Sequence, residues 1–259
     1  MCCCCPPAIS ALFCLYVQSG CSKGTVAGAL TFFPPEPALY QFERHAADGR
    51  VLAQDEEADN NDDKPSEKTK EKKTGFFSFG RKEEPLEIRE TREETARKMK
   101  SPIQQLTDQM AVRRKRSKLR NARDARDAAA NVTYKLLLDP RLQVPPHDET
   151  CIEAVKIRAP RDTFIATVIY RVPEERRNEH TKTIILSHGN ATDNGAMFPI
   201  QVVLAHSLDC NVVSYDYSGY GESGGVPDER ATYRDIDIVF DYVVDQISPA
   251  ENIVLYGQS

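Results

Sequence analysis

The stretch TIILSHGN (residues 183–190) decides the fold. It is a nearly continuous apolar run that ends in small polar residues, which is typical of a strand buried on both faces of a sheet. CNVVSYDY (residues 210–217) and NIVLYGQS (residues 252–259) have the same form. Helical patterns over residues 195–208 and 228–247 separate the three runs. This alternation predicts an α/β fold, with a mostly parallel sheet, right-handed crossovers and flanking helices.

Two further runs precede these strands. IEAVKIRA (residues 152–159) and TFIATVIYRV (residues 163–172) alternate apolar and polar side chains, and the turn-like PRD separates them. Such a pair predicts an antiparallel hairpin that begins the same sheet.

Polar residues follow each of the three buried strands: SHGN, DYSGYG and GQS. The carboxyl ends of parallel strands are where ligands bind in such sheets, so we expect one site there. A strand that ends in Gly257, Gln258 and Ser259 matches the start of the nucleophile elbow G-x-S-x-G, in which a strained turn exposes the serine hydroxyl. Ser259 is therefore the candidate nucleophile.

Two other motifs compete with this interpretation. GYGESG (residues 219–224) satisfies the dinucleotide pattern G-x-G-x-x-G, but the predicted helix begins near Asp228, whereas that fingerprint opens its helix within the motif. HGNATD (residues 188–193) has the H-x-x-x-x-D spacing of glycerolipid acyltransferases, with His188 as the base, but no other residue supports that activity. A serine hydrolase is favoured.

The N-terminus is rich in cysteine: six of the eight cysteines precede residue 22. Adjacent cysteines cannot readily pair with each other, and no C-x-x-C with distant histidines indicates zinc. The apolar run at residues 8–17 is far shorter than the ~20 residues of a spanning helix, and no basic residue precedes Lys23 as a signal peptide would require. The segment predicts S-acylation, which holds a protein stably when several chains are attached. The candidate acylation sites are Cys2, Cys3, Cys4, Cys5 and Cys14.

The sequence divides into three parts. Residues 1–42 are a cysteine-rich anchoring segment with the extended stretch FFPPEP, residues 43–150 a charged linker, mostly disordered or helical, and residues 151–259 an incomplete α/β domain. Within the linker, residues 86–130 are good helix formers with little apolar stripe, so we expect exposed helices.

The linker contains the basic run RRKRSKLR, from Arg113 to Arg120. A solvated helix face is the favoured interpretation, and contact with an anionic membrane surface is the alternative. Nucleic acid is not expected as a partner, because no aromatic platform accompanies the run and the net charge of the chain is -5.

Taken together, the cysteine cluster, FFPPEP, LSHGNATDNGAM, CNVVSYDYSGYGESGGVP and NIVLYGQS resemble the membrane-anchored depalmitoylases of α/β-hydrolase-domain family 17. The resemblance covers residues 1–40 and 151–259, and the charged middle has no counterpart. It implies palmitoylated cysteines, attachment to the cytoplasmic face of the plasma or endosomal membrane, and hydrolysis of thioester-linked palmitate from other membrane proteins. It also implies Ser259 as nucleophile and a main-chain N–H at Asn190 as oxyanion donor, with no metal or cofactor.

The family's histidine and aspartate follow the serine in chain order, so His188 and His206 do not match its base. We expect His188 to shape its loop and His206 to lie in a helix. The 259-residue chain, as an N-terminal fragment, is accordingly expected to be inactive alone. Two alternatives stay open: a catalytically dead, lipid-anchored interaction protein that uses the charged middle, and an esterase or lipase of the same fold.

Overall fold

The structure is a computed structural model that describes residues 31–53 and 102–258. The predicted acylation sites Cys2, Cys3, Cys4, Cys5 and Cys14 lie outside the described residues, as does Ser259. Residues 54–101 of the predicted linker also lie outside them. These assignments therefore stay predictions.

Seven strands form one sheet in the order β1-β2-β3-β4-β6-β5-β7. The strands are β1 (Tyr40–His45), β2 (Thr133–Leu138), β3 (Ile152–Ala159), β4 (Thr163–Tyr170), β5 (Thr183–Ser187), β6 (Asn211–Tyr215) and β7 (Ile253–Gly257), and the helices are α1 (Pro102–Ala129), α2 (Asn194–Leu208) and α3 (Glu229–Gln246). Strand β5 lies between β6 and β7 and is parallel to both, whereas β1 to β4 are antiparallel to their neighbours, as is the β4–β6 pair. The predicted α/β fold is confirmed, with a mixed sheet whose parallel part is β5, β6 and β7.

Helices cover both faces of the sheet. Successive residues of a strand point to opposite faces, so Val212 packs with α2 and Val213 packs with α3. The buried face of α2 includes Phe198 and Val202, and the buried face of α3 includes Val239. The result is a layered α/β/α domain with an apolar core on each side of the sheet.

Each of these two helices begins at an aspartate cap. The side chain of Asp193 accepts a hydrogen bond from the Ala196 N–H at 2.9 Å, and Asp228 accepts one from the Ala231 N–H at 3.0 Å. Such caps satisfy main-chain donors that have no partner inside the helix. The predicted boundaries of both helices are correct to within a residue.

The predicted hairpin is also present. Strands β3 and β4 pair antiparallel from Ile152 with Tyr170 to Ala159 with Thr163. The PRD turn places Arg161 and Asp162 at positive φ, 63° and 52°, which closes the tight connection.

The sheet extends beyond the segment predicted for it. Strand β1 pairs with β2 from Tyr40 with Leu138 to His45 with Thr133, and β2 pairs with β3. Tyr40 and Phe42 alternate toward the core and are buried, which makes β1 part of the domain rather than of the anchoring segment. The predicted domain boundary at residue 151 is thus corrected, because β1 and β2 cover the edge of β3.

Helix α1 lies in the predicted linker, where a helix was expected, but it is not simply exposed. It packs on the same face of the sheet as α2, and two of its own side chains, Asp124 and Asp127, are buried against the sheet. No helix in the described ranges has the length and apolar character needed to cross a membrane.

Ion pairs attach α1 to the domain. Asp127 accepts two hydrogen bonds from the Arg44 guanidinium of β1, one of them at 2.7 Å. Lys156 Nζ of β3 lies 2.9 Å from Asp124 Oδ2, and both side chains are almost fully buried. Buried charges are tolerated only when they are paired, so this contact fixes the position of the helix.

Part of RRKRSKLR also faces the protein, which corrects the favoured interpretation of a solvated face. Arg113 Nε donates to Glu36 Oε1 at 3.0 Å. Arg120 Nη1 donates to the carbonyl oxygens of Gly221 and Ser223 at 2.6 and 3.0 Å. Lys115 and Lys118 remain exposed, so the run divides into an inner and an outer set.

Candidate active site

The three predicted polar segments meet at one edge of the sheet. Ser187 at the end of β5 is in register with Tyr215 of β6 and Gly257 of β7. The N–H of Gln258 donates to the Ser187 carbonyl at 2.9 Å. The strand that leads to Ser259 is therefore held beside the strand that leads to His188 and Asn190.

Asn190 is the centre of a hydrogen-bond cluster at this edge. Its Oδ1 accepts from the Tyr220 hydroxyl at 2.8 Å and from the Phe33 N–H at 3.0 Å. Its Nδ2 donates to the Thr31 carbonyl at 2.8 Å. The side chain thus joins the β5 loop to the β6 loop and to the start of the stretch TFFPPEP, a connection that sequence reasoning missed.

The main-chain N–H of Asn190 is the predicted oxyanion donor. Asn190 is exposed, and this N–H donates to no acceptor within the described residues. The Ala191 N–H is turned back to Asn190 Oδ1 at 3.0 Å. The side-chain hydrogen bonds of Asn190 hold the loop in place, while its main-chain N–H stays accessible as the predicted oxyanion donor.

A buried carboxylate, Asp216, supports the loop from below. Its Oδ2 accepts from the hydroxyl of Tyr40, and its Oδ1 accepts from the Asn194 N–H at 2.9 Å. Burial raises the pKa of Tyr40 well above its ordinary value, and the carboxylates of Asp216 and Glu222 raise it further. Tyr40 is therefore a neutral donor that ties β1 to the candidate site.

His188 shapes the loop, as expected. Its side chain is fully buried, its ring lies 4.4 Å from that of Tyr217 and 5.4 Å from that of Tyr220, centroid to centroid, and Nδ1 lies 2.9 Å from the Gly189 carbonyl. Its Nε2 lies 3.2 Å from Asp216 Oδ1 without hydrogen-bond geometry. A ring enclosed in this way cannot reach a substrate, so His188 is not a base.

The two competing motifs do not form their sites. In the first motif, Asp193 caps helix α2 and accepts a hydrogen bond from the Leu39 N–H at 2.7 Å. The other histidine considered, His206, lies in α2 as expected, with Nε2 2.8 Å from the Tyr170 hydroxyl. Asp193 therefore has no dyad with His188. Helix α3 begins at Glu229, after the glycine motif, so no helix opens inside GYGESG.

The glycine motif instead lets the β6 loop approach Asp216. Gly219 and Gly221 have positive φ, 82° and 42°. A Cβ atom at Gly221 would collide with the Asp216 carboxylate, so only glycine fits there. The loop is closed further along by Ser223, whose hydroxyl donates to the Asp216 carbonyl at 2.7 Å.

A charged cluster lies next to this loop. Glu222 Oε2 lies 3.0 Å from Arg123 Nη2 and 3.6 Å from Lys156 Nζ. Burial alone would raise the pKa of Glu222, but the charges of Lys156, Arg120 and Arg123 overcome that effect and lower it to about 2. The β6 loop and helix α1 therefore share one set of ion pairs. Within the described ranges, no group of three or more histidine, cysteine or acidic side chains could hold a metal ion.

The layered sheet and the three loops at its edge define the class of protein: the fold is of the α/β-hydrolase type, as the sequence predicted. No family model matches the chain. Its relatives include α/β hydrolase domain-containing protein aho-3 of Caenorhabditis elegans, which is 42% identical over 120 residues, a match that covers 44% of this chain and 35% of the relative. α/β hydrolase domain-containing protein 17C of Homo sapiens is 40% identical over 113 residues, which cover 42% of this chain and 33% of that protein.

The chain thus spans about a third of the length of the curated relatives that it matches. Among solved structures, a Pyrobaculum calidifontis esterase is similar at 20% identity and a TM-score of 0.36, over 45% of this chain and 37% of that chain. The predicted resemblance to α/β hydrolase domain-containing protein 17 is confirmed over the matched region.

Proposed function

We propose that the protein is a serine hydrolase of the palmitoyl-protein thioesterase type, with Ser259 as its nucleophile. The observation that carries the proposal is the hydrogen bond from Gln258 N–H to the Ser187 carbonyl, which fixes the strand end before Ser259 beside the Asn190 loop. A nucleophile elbow needs such a strand end, next to a loop that supplies a main-chain donor.

In the proposed reaction, the Ser259 hydroxyl attacks the carbonyl carbon of a thioester while a base accepts its proton. The resemblance places that base, a histidine oriented by an aspartate, after the serine in chain order. The N–H of Asn190 stabilises the negative oxygen of the tetrahedral intermediate. The C–S bond then breaks, the thiolate takes the proton from the base, and water hydrolyses the acyl-serine by the same steps in reverse.

The proposed substrates are S-acylated membrane proteins, and the proposed location is the cytoplasmic face of the plasma or endosomal membrane. Two features support this assignment: the similarity to relatives named α/β hydrolase domain-containing protein 17, and the thiols of Cys2, Cys3, Cys4, Cys5 and Cys14 as attachment sites for acyl chains. Several acyl chains would hold the enzyme where its substrates lie.

The decisive experiment is labelling of the protein, as its own cells produce it, with a fluorophosphonate probe that reacts with activated serines. We expect mass spectrometry to locate the probe on Ser259, and Ser259→Ala to abolish labelling. Ser117→Ala, on helix α1, is the matched control and should label normally. Labelling at another serine would overturn the assignment.

Two comparisons separate the alternatives. A purified protein limited to residues 1–259 is expected to remain unlabelled, because the resemblance places the base after Ser259. If the cellular protein also remains unlabelled although it is folded and membrane-bound, it is a lipid-anchored interaction protein. If it is labelled but cleaves lipid esters and no S-acyl peptide, it is an esterase or lipase of the same fold.

A further inference from the structure

The outer face of helix α1 combines basic and aliphatic side chains. Between residues 110 and 126, at about 100° per residue, the exposed positions of the helix all lie on one arc of about 120°. These positions are Ala111, Val112, Lys115, Lys118, Leu119, Ala122 and Arg126. We call this arc the outer face, and every member of it is exposed.

The opposite side of the helix is occupied by the domain. Arg113 is bonded to Glu36, Arg120 to the β6 loop, and Asp124 to Lys156. These contacts prevent the helix from rotating, so the outer face has a fixed orientation. Val112 and Leu119 are 49% and 52% exposed, so two aliphatic side chains face water among the lysines of this face.

We propose that the outer face of α1 binds an anionic lipid bilayer. Lysine side chains attract acidic headgroups, and the aliphatic residues between them can enter the boundary between headgroups and acyl chains. A bilayer suits the face better than nucleic acid does, because two aliphatic side chains lie among the lysines and the face has no aromatic residue for base stacking. The assignment narrows the predicted contact, the run from Arg113 to Arg120, to its exposed lysines Lys115 and Lys118.

The position of the outer face agrees with the proposed membrane location. Glu36 joins Arg113 to the segment that starts at Thr31, and Asn190 binds Thr31 and Phe33 of that segment. The helix and the candidate active site are thus connected through the stretch that follows the predicted acylation sites. The inference deepens the proposed function, but its test requires neither acylation nor hydrolase activity.

The test uses the purified, unacylated chain and sedimentation with vesicles of phosphatidylcholine containing about 30% phosphatidylserine. Each basic side chain near an anionic surface contributes about fivefold, so Lys115→Gln with Lys118→Gln should weaken binding by about 30-fold. Arg176→Gln with Arg177→Gln removes two exposed charges from the connection between β4 and β5, outside α1, and should change binding by less than about twofold.

A tryptophan placed on the outer face gives a second, local measurement, because the chain contains no tryptophan. Leu119→Trp should show a blue-shifted emission when anionic vesicles are added, and none with pure phosphatidylcholine. Leu208→Trp, at the exposed end of α2, should not shift.

Three results would overturn the proposal, even if the chain binds vesicles through another segment. The first is equal weakening by the lysine and the arginine variants. The second is an unshifted Leu119→Trp emission on vesicles that carry the protein. The third is binding of duplex DNA, with the same dependence on Lys115 and Lys118, in the absence of vesicle binding.

Discussion

Helices α1 and α2 lie on the same face of the sheet, yet different forces hold them there. Helix α2 buries apolar side chains such as Phe198 and Val202 in the core. Helix α1 buries two aspartates and meets them with Arg44 and Lys156 from the sheet. Apolar burial is non-directional, so it stabilises a helix in any orientation that covers the helix's apolar side chains. An ion pair stabilises the helix only when the two charged groups lie at hydrogen-bonding distance. The comparison shows that a helix with few apolar residues can be fixed on the sheet by buried ion pairs.

The largest effect is expected where α2 meets the sheet. Phe198 is fully buried, so Phe198→Ala removes its apolar contacts and leaves a cavity. We expect the free energy of unfolding to fall by about 3–5 kcal/mol, measured by urea denaturation followed by circular dichroism. Ile200→Ala on the same helix, at a position 39% exposed, is the control and should cost less than about 1 kcal/mol. Equal losses in the two variants would show that α2 is not held by its apolar face.

The second prediction concerns the ion pairs of α1. Asp124→Ala leaves the buried ammonium of Lys156 without its nearest carboxylate, and should cost about 3 kcal/mol of unfolding free energy. Replacing both residues, with Asp124→Leu and Lys156→Met, removes the charges together, so the loss should be below about 1 kcal/mol.

Hydrogen exchange of the α1 amides should be fastest in Asp124→Ala, slower in the double variant Asp124→Leu with Lys156→Met, and slowest in the wild type. Arg176→Ala, which breaks an exposed pair with Asp209, is the control and should change stability by less than about 0.5 kcal/mol. A double variant that is as unstable as the single one would mean that specific geometry, rather than charge balance, holds the helix.

The smallest expected effect is a pH dependence of stability, and it arises from the ion pairs of Glu222 with α1 and β3. The folded pKa of Glu222 is lowered to about 2 from 4.5, so its ionised form stabilises the fold above pH 4.5, and this contribution is lost as the pH falls toward 2. Glu222→Gln should therefore be less stable than the wild type by about 2 kcal/mol at pH 7, with the difference shrinking toward zero near pH 2.

The measurement is urea denaturation of both proteins across that pH range. Glu251→Gln, which changes an exposed carboxyl far from α1, should differ little from the wild type at any pH. A Glu222→Gln difference that stays constant from pH 7 to pH 2 would contradict the ion-pair account.

The elements that were predicted correctly share one physical property. Strands β3 to β7 and helices α2 and α3 bury apolar residues at the period of their own secondary structure, and such periods are visible in the sequence. The meeting of Ser187, Asp216 and Gly257 at one edge also followed, because parallel strands end on the same side. The structural role of His188 in its loop was expected for another reason: in the resembling family the base follows the serine in chain order.

The residues that sequence reasoning missed have partners far along the chain. The hydroxyl of Tyr40 bonds a carboxylate 176 residues away, and Thr31 bonds Asn190 across 159 residues. The alternation of Tyr40, Phe42 and Arg44 is a usable signal for β1, but the neighbouring prolines and charges favoured an extended anchor.

The sequence by itself thus determined the α/β class, the central strands with their two apolar helices, and the edge at which the candidate site forms. Only the tertiary structure decided that β1, β2 and α1 belong to the same domain, and that Asn190 and Asp216 join the N-terminal segment to the site. The physical reason is that apolar burial repeats along an element, whereas an ion pair or a single hydrogen bond joins two residues whose distance in sequence follows no period.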